Sequence, residues 1–489
     1  MLARQFCSTL WRPIVVLALI CLQSQLGTAA EPLNVLFIAA DDLRCDLGCL
    51  GHEAVLTPNL DALAQHGRLF TRAYCQQAVC NPSRASLLCG LRPDTLRIWD
   101  LPTHLREVRP QAVTLPQHFK QQGYFTQNIG KIFHNWRQKT EGDPESWSVP
   151  AVMHYATHGS DKPLVQDGEE LPPDLAQTVS TERRDVPDEA YFDGRIAQLA
   201  VTALQERRDR KQPFFLAVGF WKPHLPFNPP QRYWNLYDRD AIPRASRITP
   251  PDNVPPVALH NGQELLKSGR VLSEANIQEL RHGYLSGISF LDAQVGKVLS
   301  ALDALDLRKN TVIVFWSDHG FHLGEHGLWC KTSNFELDAR VPLIISVPGM
   351  PHPGVSSNSL VELLDIYPTL NDVCGLPPRA ELEGVSLQTI LQDPAAEVKP
   401  FAATQHPRPA YYTGKPEAMG VSIRTTRFRY TEWHDFDSGD VQASELYDHD
   451  ADPDETVNSV TDPRFAEILK TLREQSASRF PRIGYALGN

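Results

Sequence analysis

A cysteine, a proline two residues on and an arginine four residues on stand together in Cys80-Asn81-Pro82-Ser83-Arg84. A run with helical character follows, and Gly90 closes it. This pattern predicts that Cys80 lies just before a helix N-terminus, where free backbone N–H groups and the helix dipole favour an anion. Arg84 adds a fork of donors one turn later. The plain alternative is a buried structural cysteine, the usual fate of a lone thiol. Charged residues recur after apolar runs. Asp41-Asp42 closes the run 34–40, Lys131 and His134 follow the run 124–129, His224 follows the run 213–220, and Asp318-His319 follows the run 311–316. Two adjacent carboxylates at the end of a buried strand are costly unless a cation neutralises them. Asp41, Asp42 and Asp318 offer oxygen ligands with His319 beside them, and oxygen-rich sites suit calcium or magnesium rather than zinc. Lys131, Lys331, Arg84 and the helix N-terminus supply the positive field that a sulfuryl or phosphoryl transition state requires. His134 and His224 are candidates for proton transfer, since histidine titrates near neutral pH.

The elements that must position these groups are strands and helices in alternation. The runs 34–40, 124–129, 213–220, 311–316 and 341–347 read as strands buried on both faces. Residues 57–67 read as a helix with Thr57 as its cap, Pro58 at its first position and Gly67 as its stop. Residues 114–123 form a second capped helix and 192–204 a third. The stripe Ile288, Leu291, Val295, Val298, Leu299, Leu302, Leu305 is helical core packing. Residues 92–100 read as a loop, and 135–190 as a polar surface insertion of the kind that shapes a pocket. The expected fold class is α/β: a large mixed, mostly parallel sheet sandwiched by helices, with a smaller C-terminal α+β part. In open α/β sheets ligands bind outside the carboxyl ends of the strands, which is where the charged groups fall. Past about residue 375 the chain turns proline-rich, and short strands follow near 421–424 and 427–431, then a helix over 464–478. The acidic run 445–455 lacks the glycine and spacing of an EF-hand and reads as a solvated turn. The expected division is 1–30, 31–398 and 399–489.

Residues 1–30 have the form of a cleaved signal peptide: Arg4 and Arg12, an apolar run over 14–22, and Thr28-Ala29-Ala30 before the cut. The expected product is exported, periplasmic or secreted, with no stable membrane anchor. A formal charge of -11 argues against a general nucleic-acid binder. Cys45, Cys49, Cys75, Cys89, Cys330 and Cys374 can pair in an exported protein, but sequence does not give connectivity.

Cys-x-Pro-Ser-Arg resembles the signature of the type I sulfatases, a family of the alkaline-phosphatase-like superfamily, with Cys89 where that family usually has threonine. The resemblance extends through Asp41-Asp42-Leu43-Arg44, Gly130-Lys131-Ile132-Phe133-His134, Lys222-Pro223-His224, Ser317-Asp318-His319-Gly320 and Gln405-His406-Pro407-Arg408-Pro409. Within the family these runs are most similar to the iduronate-2-sulfatase branch. The resemblance implies a sulfuric ester hydrolase in which a formylglycine-generating enzyme oxidises Cys80 to formylglycine. One oxygen of the hydrated aldehyde attacks sulfur, and the second, deprotonated by His134, expels sulfate. It further implies that Asp41, Asp42, Asp318, His319 and residue 80 bind calcium and that Arg84 holds the formylglycine. Lys131, His224 and Lys331 bind sulfate, the last two also assisting the leaving group. Arg97 matches a position used near the sugar carboxylate, and an ordinary surface arginine is the even alternative. Phe321 stands where the branch has tryptophan, on the pocket wall. The implied substrate is a sulfated, uronate-containing oligosaccharide or polysaccharide. Two rivals remain open: a phosphoester or phosphonate hydrolase on the same fold, and an inactive glycan-binding relative.

Overall fold

Eight consecutive residues, Asn34–Asp41, form strand β1, and all are buried. Alternation divides the strand between two cores. Leu36, Ile38 and Ala40 join one, while Val35, Phe37 and Ala39 join the other. Such a strand reads as an unbroken apolar run because helices cover both sheet faces. The protein is seen here in a computed structural model that describes residues 31–135, 138, 140, 142–154, 181–260, 262–266 and 271–481. The expected signal segment and much of the 135–190 insertion lie outside the described residues.

Around β1 lie β2 (Arg68–Tyr74), β3 (Phe125–Gly130), β4 (Phe214–Pro223), β5 (Thr311–Ser317), β6 (Arg340–Ser346) and β7 (Val361–Glu362). The sheet order is β3-β4-β1-β5-β6-β2-β7. β3, β4, β1 and β5 are mutually parallel, β6 runs against both β5 and β2, and β7 is parallel to β2. The sheet is therefore mixed and mostly parallel, as expected. Its register brings the strand ends to one level: Ala40 pairs with Ser317, Ala39 with Gly219, and Gly130 with Gly219.

Helices α1 (Pro58–Gln65), α4 (Phe192–Arg207) and α5 (Glu274–Ala304) supply one core, while α2 (Cys80–Cys89) and α3 (Leu115–Gln121) supply the other. α3 carries the capping box expected of Thr114 and Gln117. A second, antiparallel sheet runs β8 (Ala402–Arg408), β9 (Ala418–Arg424), β10 (Phe428–Asp435) and β11 (Val441–Asp448) in that order. Leu469 and Leu472 of α6 (Ala466–Arg479) belong to its core. Among the described residues no helix is long and apolar enough to cross a membrane.

Several local expectations change. Thr57 occupies the cap position of α1, but its hydroxyl accepts from Gly48 N–H and donates to Asp61. The helix N-terminus is capped from elsewhere in the chain: the Asp292 carboxylate of α5 accepts from the N–H groups of Asn59 and Leu60, at 3.1 and 2.8 Å. Within 92–100 the chain makes a helical turn, Pro93–Leu96, before Arg97 adopts a left-handed conformation. β2 sets Arg68, Thr71 and Arg72 among its apolar residues, and β8 has no large aliphatic or aromatic residue to mark it as a strand. The acidic run 445–455 is a solvated turn only in its middle, where Asp450 and Asp454 are exposed; its two ends are buried. Glu445 lies buried in β11, and Glu455 is buried against Arg429 at 2.7 Å. The seven cysteines past residue 30 are free thiols.

Because Asp292 accepts the Asn59 and Leu60 amides at the start of α1, Asp292→Ala should lower unfolding free energy by about 1–3 kcal/mol, the cost of stranding these donors. Urea unfolding measures this, and a change within about 0.5 kcal/mol would remove Asp292 as the cap.

Candidate active site

The carboxyl ends of β1, β3, β4 and β5 deliver Asp41 and Asp42, Lys131 and His134, His224, and Asp318 and His319 to one place. All are buried. Close backbone contact makes this possible. Gly130 has φ +82°, and a Cβ there would stand 2.0 Å from the Gly219 carbonyl, while a Cβ on Gly219 would stand 1.9 Å from the Lys131 carbonyl. Only glycine lets β3 and β4 approach so closely where Lys131 leaves the sheet. Asp193 of α4 accepts the N–H groups of Trp221 and Lys222 at 2.9 Å each, fixing the turn that presents His224.

Cys80 is the first residue of α2, whose N-cap residue Val79 makes no side-chain cap. Its Sγ lies 3.6 Å from Asp41 Oδ1 and 3.4 Å from His319 Nε2. Arg84, one turn on, is wholly enclosed. Its Nε donates to Asp318 Oδ2 at 2.8 Å, and its other nitrogens donate to the carbonyls of Lys131, Ile132 and Ala40 and to Asp41. Lys131 Nζ pairs with Asp41 and lies 4.7 Å from the Trp221 ring centroid. Lys331 Nζ is 2.8 Å from Asp42 Oδ1 and 3.1 Å from Glu264 Oε2. Thus three carboxylates of the cluster meet three permanent cations, as burial of charge demands.

Titration follows from this packing. Burial alone would raise the Asp41 carboxyl, but Lys131, His224 and Arg84 hold it well below the usual carboxylate range. Burial pushes Asp42 well above that range; Lys331 opposes this, while Asp41, Glu264 and Asp318 add to it. Burial, with Asp41 adding to it, lifts the Cys80 thiol well above its ordinary value. As encoded, therefore, residue 80 is a protonated thiol at neutral pH rather than a reactive thiolate. Burial disfavours the Lys131 and Lys331 ammonium groups, yet Asp41 and Asp42 respectively keep them above the usual lysine range. Burial, with the charge of Lys131, holds His134 well below its ordinary value. Both His134 ring nitrogens are buried with no hydrogen-bond partner among the described residues.

Asp41, Asp42, Cys80 and His319 each bring a ligand atom within 4.8 Å of the others. His319 tests whether a cation fits. Its Nδ1 is 3.0 Å from the Gly320 carbonyl, which can only accept, so Nδ1 carries the proton. Burial keeps the ring neutral. The Nε2 lone pair then faces Asp42 Oδ1 at 3.4 Å and Asp318 Oδ2 at 3.6 Å. Lone pairs converging in this way suit a bound cation, and a histidine oriented through its other nitrogen is a common ligand arrangement. Asp318 lies beside the four: Arg84 holds its Oδ2, and the N–H groups of Asp42 and His319 reach its Oδ1 at 3.2 and 3.0 Å.

Two groups missing from the sequence reading orient the cluster. Tyr284 of α5 donates to the Asp42 carbonyl at 2.6 Å, and Ser83 donates to the Asp318 carbonyl at 2.5 Å. Ser83 stands inside the Cys80 motif and had a signal there. Tyr284 is one apolar-looking position on a helix stripe and had none. Arg97 is not joined to the cluster by a hydrogen bond or ion pair among the described residues. It is exposed and lies over the Trp99 ring, 5.7 Å from its centroid. Arg84→Ala would leave Asp318 buried without its counter-charge, so stability should fall by about 3–5 kcal/mol. Arg84→Lys should recover little, because an ammonium cannot reproduce the fork. Denaturant unfolding of both variants tests this, and a lysine variant as stable as the parent would overturn it.

The sulfatase family pattern matches residues 33–376, and the pattern for the N-sulphoglucosamine sulphohydrolase C-terminal region matches 324–479. The chain is 36% identical to iduronate 2-sulfatase of Mus musculus over 92% of this chain and 95% of that protein. Its fold is shared with a protein solved with its substrate D-glucosamine-2-N,6-O-disulfate (TM-score 0.74, 22% identity, 92% of this chain and 98% of that one). The phosphonate monoester hydrolase of Silicibacter pomeroyi shares it equally (TM-score 0.74, 23% identity, 93% and 97%). The family pattern spans the β1 to β7 sheet and every residue of the buried cluster, and the mouse relative aligns along nearly the whole chain: this protein belongs to the sulfatase family.

Proposed function

We propose that the chain is an iduronate-2-sulfatase-like sulfuric ester hydrolase that removes sulfate from a uronate-containing glycan. The observation that carries this is the 36% identity to the mouse enzyme over nearly all of both chains. The Cys80-x-Pro-Ser-Arg motif, set with its sulfur 3.6 Å from Asp41 Oδ1 and 3.4 Å from His319 Nε2, supports the further reading that the thiol is converted to formylglycine by a dedicated maturation enzyme. The oxygen donors of Asp41, Asp42 and Asp318, with His319 Nε2, support calcium as the cation. When present, formylglycine supplies a hydrated aldehyde oxygen as nucleophile, and calcium supplies charge that draws the sulfate to it.

The chain's own residues do the rest. Arg84 locks the first turn of α2 to Asp318 and so fixes the direction from which residue 80 faces the sulfate. Lys131 and Lys331 bring permanent charge to the sulfuryl oxygens, where negative charge grows. His134, whose ring nitrogens have no hydrogen-bond partner among the described residues, takes a proton from residue 80. His224, whose Nδ1 donates to the Leu225 carbonyl at 2.6 Å and whose Nε2 lies 3.8 Å from Asp42 Oδ2, gives the departing alcohol a proton from Nε2 when the ring is in its imidazolium form. Arg97 is assigned to the sugar carboxylate at the rim. Export through cleavage of residues 1–30, and a division of the mature chain at 398/399, belong to the same proposal.

The fold shared with the Silicibacter phosphonate monoester hydrolase favours one second reading, hydrolysis of phosphoesters or phosphonates. The test is the mass of the Cys80 peptide from protein made alongside the maturation enzyme, with sulfate release from 2-sulfated uronate oligosaccharides measured beside phosphoester hydrolysis. Thiol-to-aldehyde conversion with faster sulfate release is expected. Faster phosphate release would favour the second reading, and a permanently unmodified Cys80 would leave a binding protein. His134→Ala should lower kcat by about 100- to 10,000-fold with Cys80 conversion intact. A loss under tenfold would remove His134 from proton transfer. Chelation of calcium should lower both activity and Tm, and added calcium should restore them.

A further inference from the structure

A cavity of about 330 Å³ opens beside Lys331, walled by His260, Glu264, Thr332, Arg408 and Tyr411. Of the residues lining it only Lys331 has a part in the proposed chemistry. Its size lies at the low end for ligand pockets, about 300–1,000 Å³, and gives room for a sugar ring. Glu264 sits on a single helical turn, Gln263–Leu266. Its Oε1 accepts from Tyr411 Oη at 2.5 Å, and its Oε2 lies 3.1 Å from Lys331 Nζ. Tyr411 also packs with Val79, Cys80 and Leu101. One wall of the cavity is thereby tied to both the reacting residue and a cation beside it. A carboxylate accepts up to about four hydrogen bonds, so Glu264 can take a hydroxyl while holding both neighbours.

His260 supplies the opposite polarity. The Gly262 N–H donates to His260 Nδ1 at 3.1 Å, so that nitrogen is an acceptor and the neutral ring carries its proton on Nε2. Burial holds the ring neutral, with its pKa down to about 3. That Nε2 is buried and has no hydrogen-bond partner among the described residues. A buried donor left without an acceptor is costly, and a ligand oxygen would recover that cost. Arg408 does not offer a carboxylate clamp. Its Nε donates to the Val257 carbonyl, and its terminal nitrogens donate to those of Ala258, Thr332 and Pro407. The wall therefore presents an anionic acceptor and a neutral donor.

We propose that this cavity is the subsite for the sulfated sugar ring, read through its hydroxyls by Glu264 and His260, with Glu264 turning any carboxylate of the ring away from this wall. This rests on the sulfatase reading above. The test compares kcat/KM on a 2-sulfated uronate disaccharide with kcat/KM on 4-nitrophenyl sulfate, which has no hydroxyls. Glu264→Gln and His260→Phe are made separately, so that one misfolded variant does not decide the matter. In each, the disaccharide-to-aryl ratio should fall by about tenfold or more, mostly through KM, as loss of a hydrogen bond to a substrate hydroxyl requires. Equal losses on both substrates would mean that the residues act only on Lys331 and would overturn the subsite. An unchanged ratio without loss would overturn it equally. If the parent hydrolyses neither sulfate ester, the sulfatase reading fails separately. Calorimetry of Cys80→Ala protein with the desulfated disaccharide then decides the cavity: binding that His260→Phe weakens by about tenfold upholds it, and no binding overturns it.

Discussion

Three aspartates buried at the ends of β1 and β5 govern the rest of the structure. Asp41, Asp42 and Asp318 have no access to solvent, and charges so placed are tolerable only beside counter-charges and hydrogen-bond donors. Arg84, Lys131 and Lys331 supply the first, and the amides of Asp42 and His319 supply donors to Asp318. Each partner comes from a different element, so the helix after Cys80, the end of β3 and the loop at 331 must all arrive together. The charge balance that permits burial also determines the chemistry. Cations held by carboxylates remain charged, and residue 80 sits among them with its thiol protonated.

The scaffold meets this demand through backbone contacts as much as through side chains. Gly130 and Gly219 bring β3 against β4 where any Cβ would collide with a carbonyl. Asp193 ties α4 to the turn carrying His224, and Asp292 ties α1 to α5 on the same sheet face. Tyr284 reaches from α5 to the carbonyl of Asp42, a residue in a left-handed conformation. The site is thus gripped from the helical layers behind it.

The antiparallel sheet completes the site from the other side. Arg408 at the end of β8 gathers carbonyls of the 257–258 turn and of Thr332, the neighbour of Lys331. Asn334 donates to the Gly420 carbonyl, and Glu455 accepts from the Glu336 N–H while pairing with Arg429. The loop following Lys331 is clamped by a part of the chain more than seventy residues away. That explains why the run 445–455, polar enough to read as a solvated turn, contains buried glutamates.

The sequence alone determined the α/β class, the doubly buried strands and the groups at their carboxyl ends, since an unbroken apolar run followed by charge has few other physical meanings. The Cys-x-Pro-Ser-Arg motif likewise marked residue 80 as the centre, and the structure gathers Asp41, Asp42, Arg84, Lys131, His134, His224, Asp318, His319 and Lys331 around it. Strands interrupted by polar residues escaped this reading. β2 sets Arg68, Thr71 and Arg72 among its apolar residues, with Arg68 buried among carbonyls, and β8 is Ala402–Arg408, largely polar yet buried throughout. Caps that reach across the fold were equally hidden: nothing near Thr57 signals that Asp292 will satisfy its helix. Glu264, Tyr411 and His260 meet Lys331 only because two loops far apart in sequence fold onto one cavity. Local pattern records which residues avoid water. Which buried donor meets which acceptor depends on contacts between distant segments, and only tertiary structure decides those.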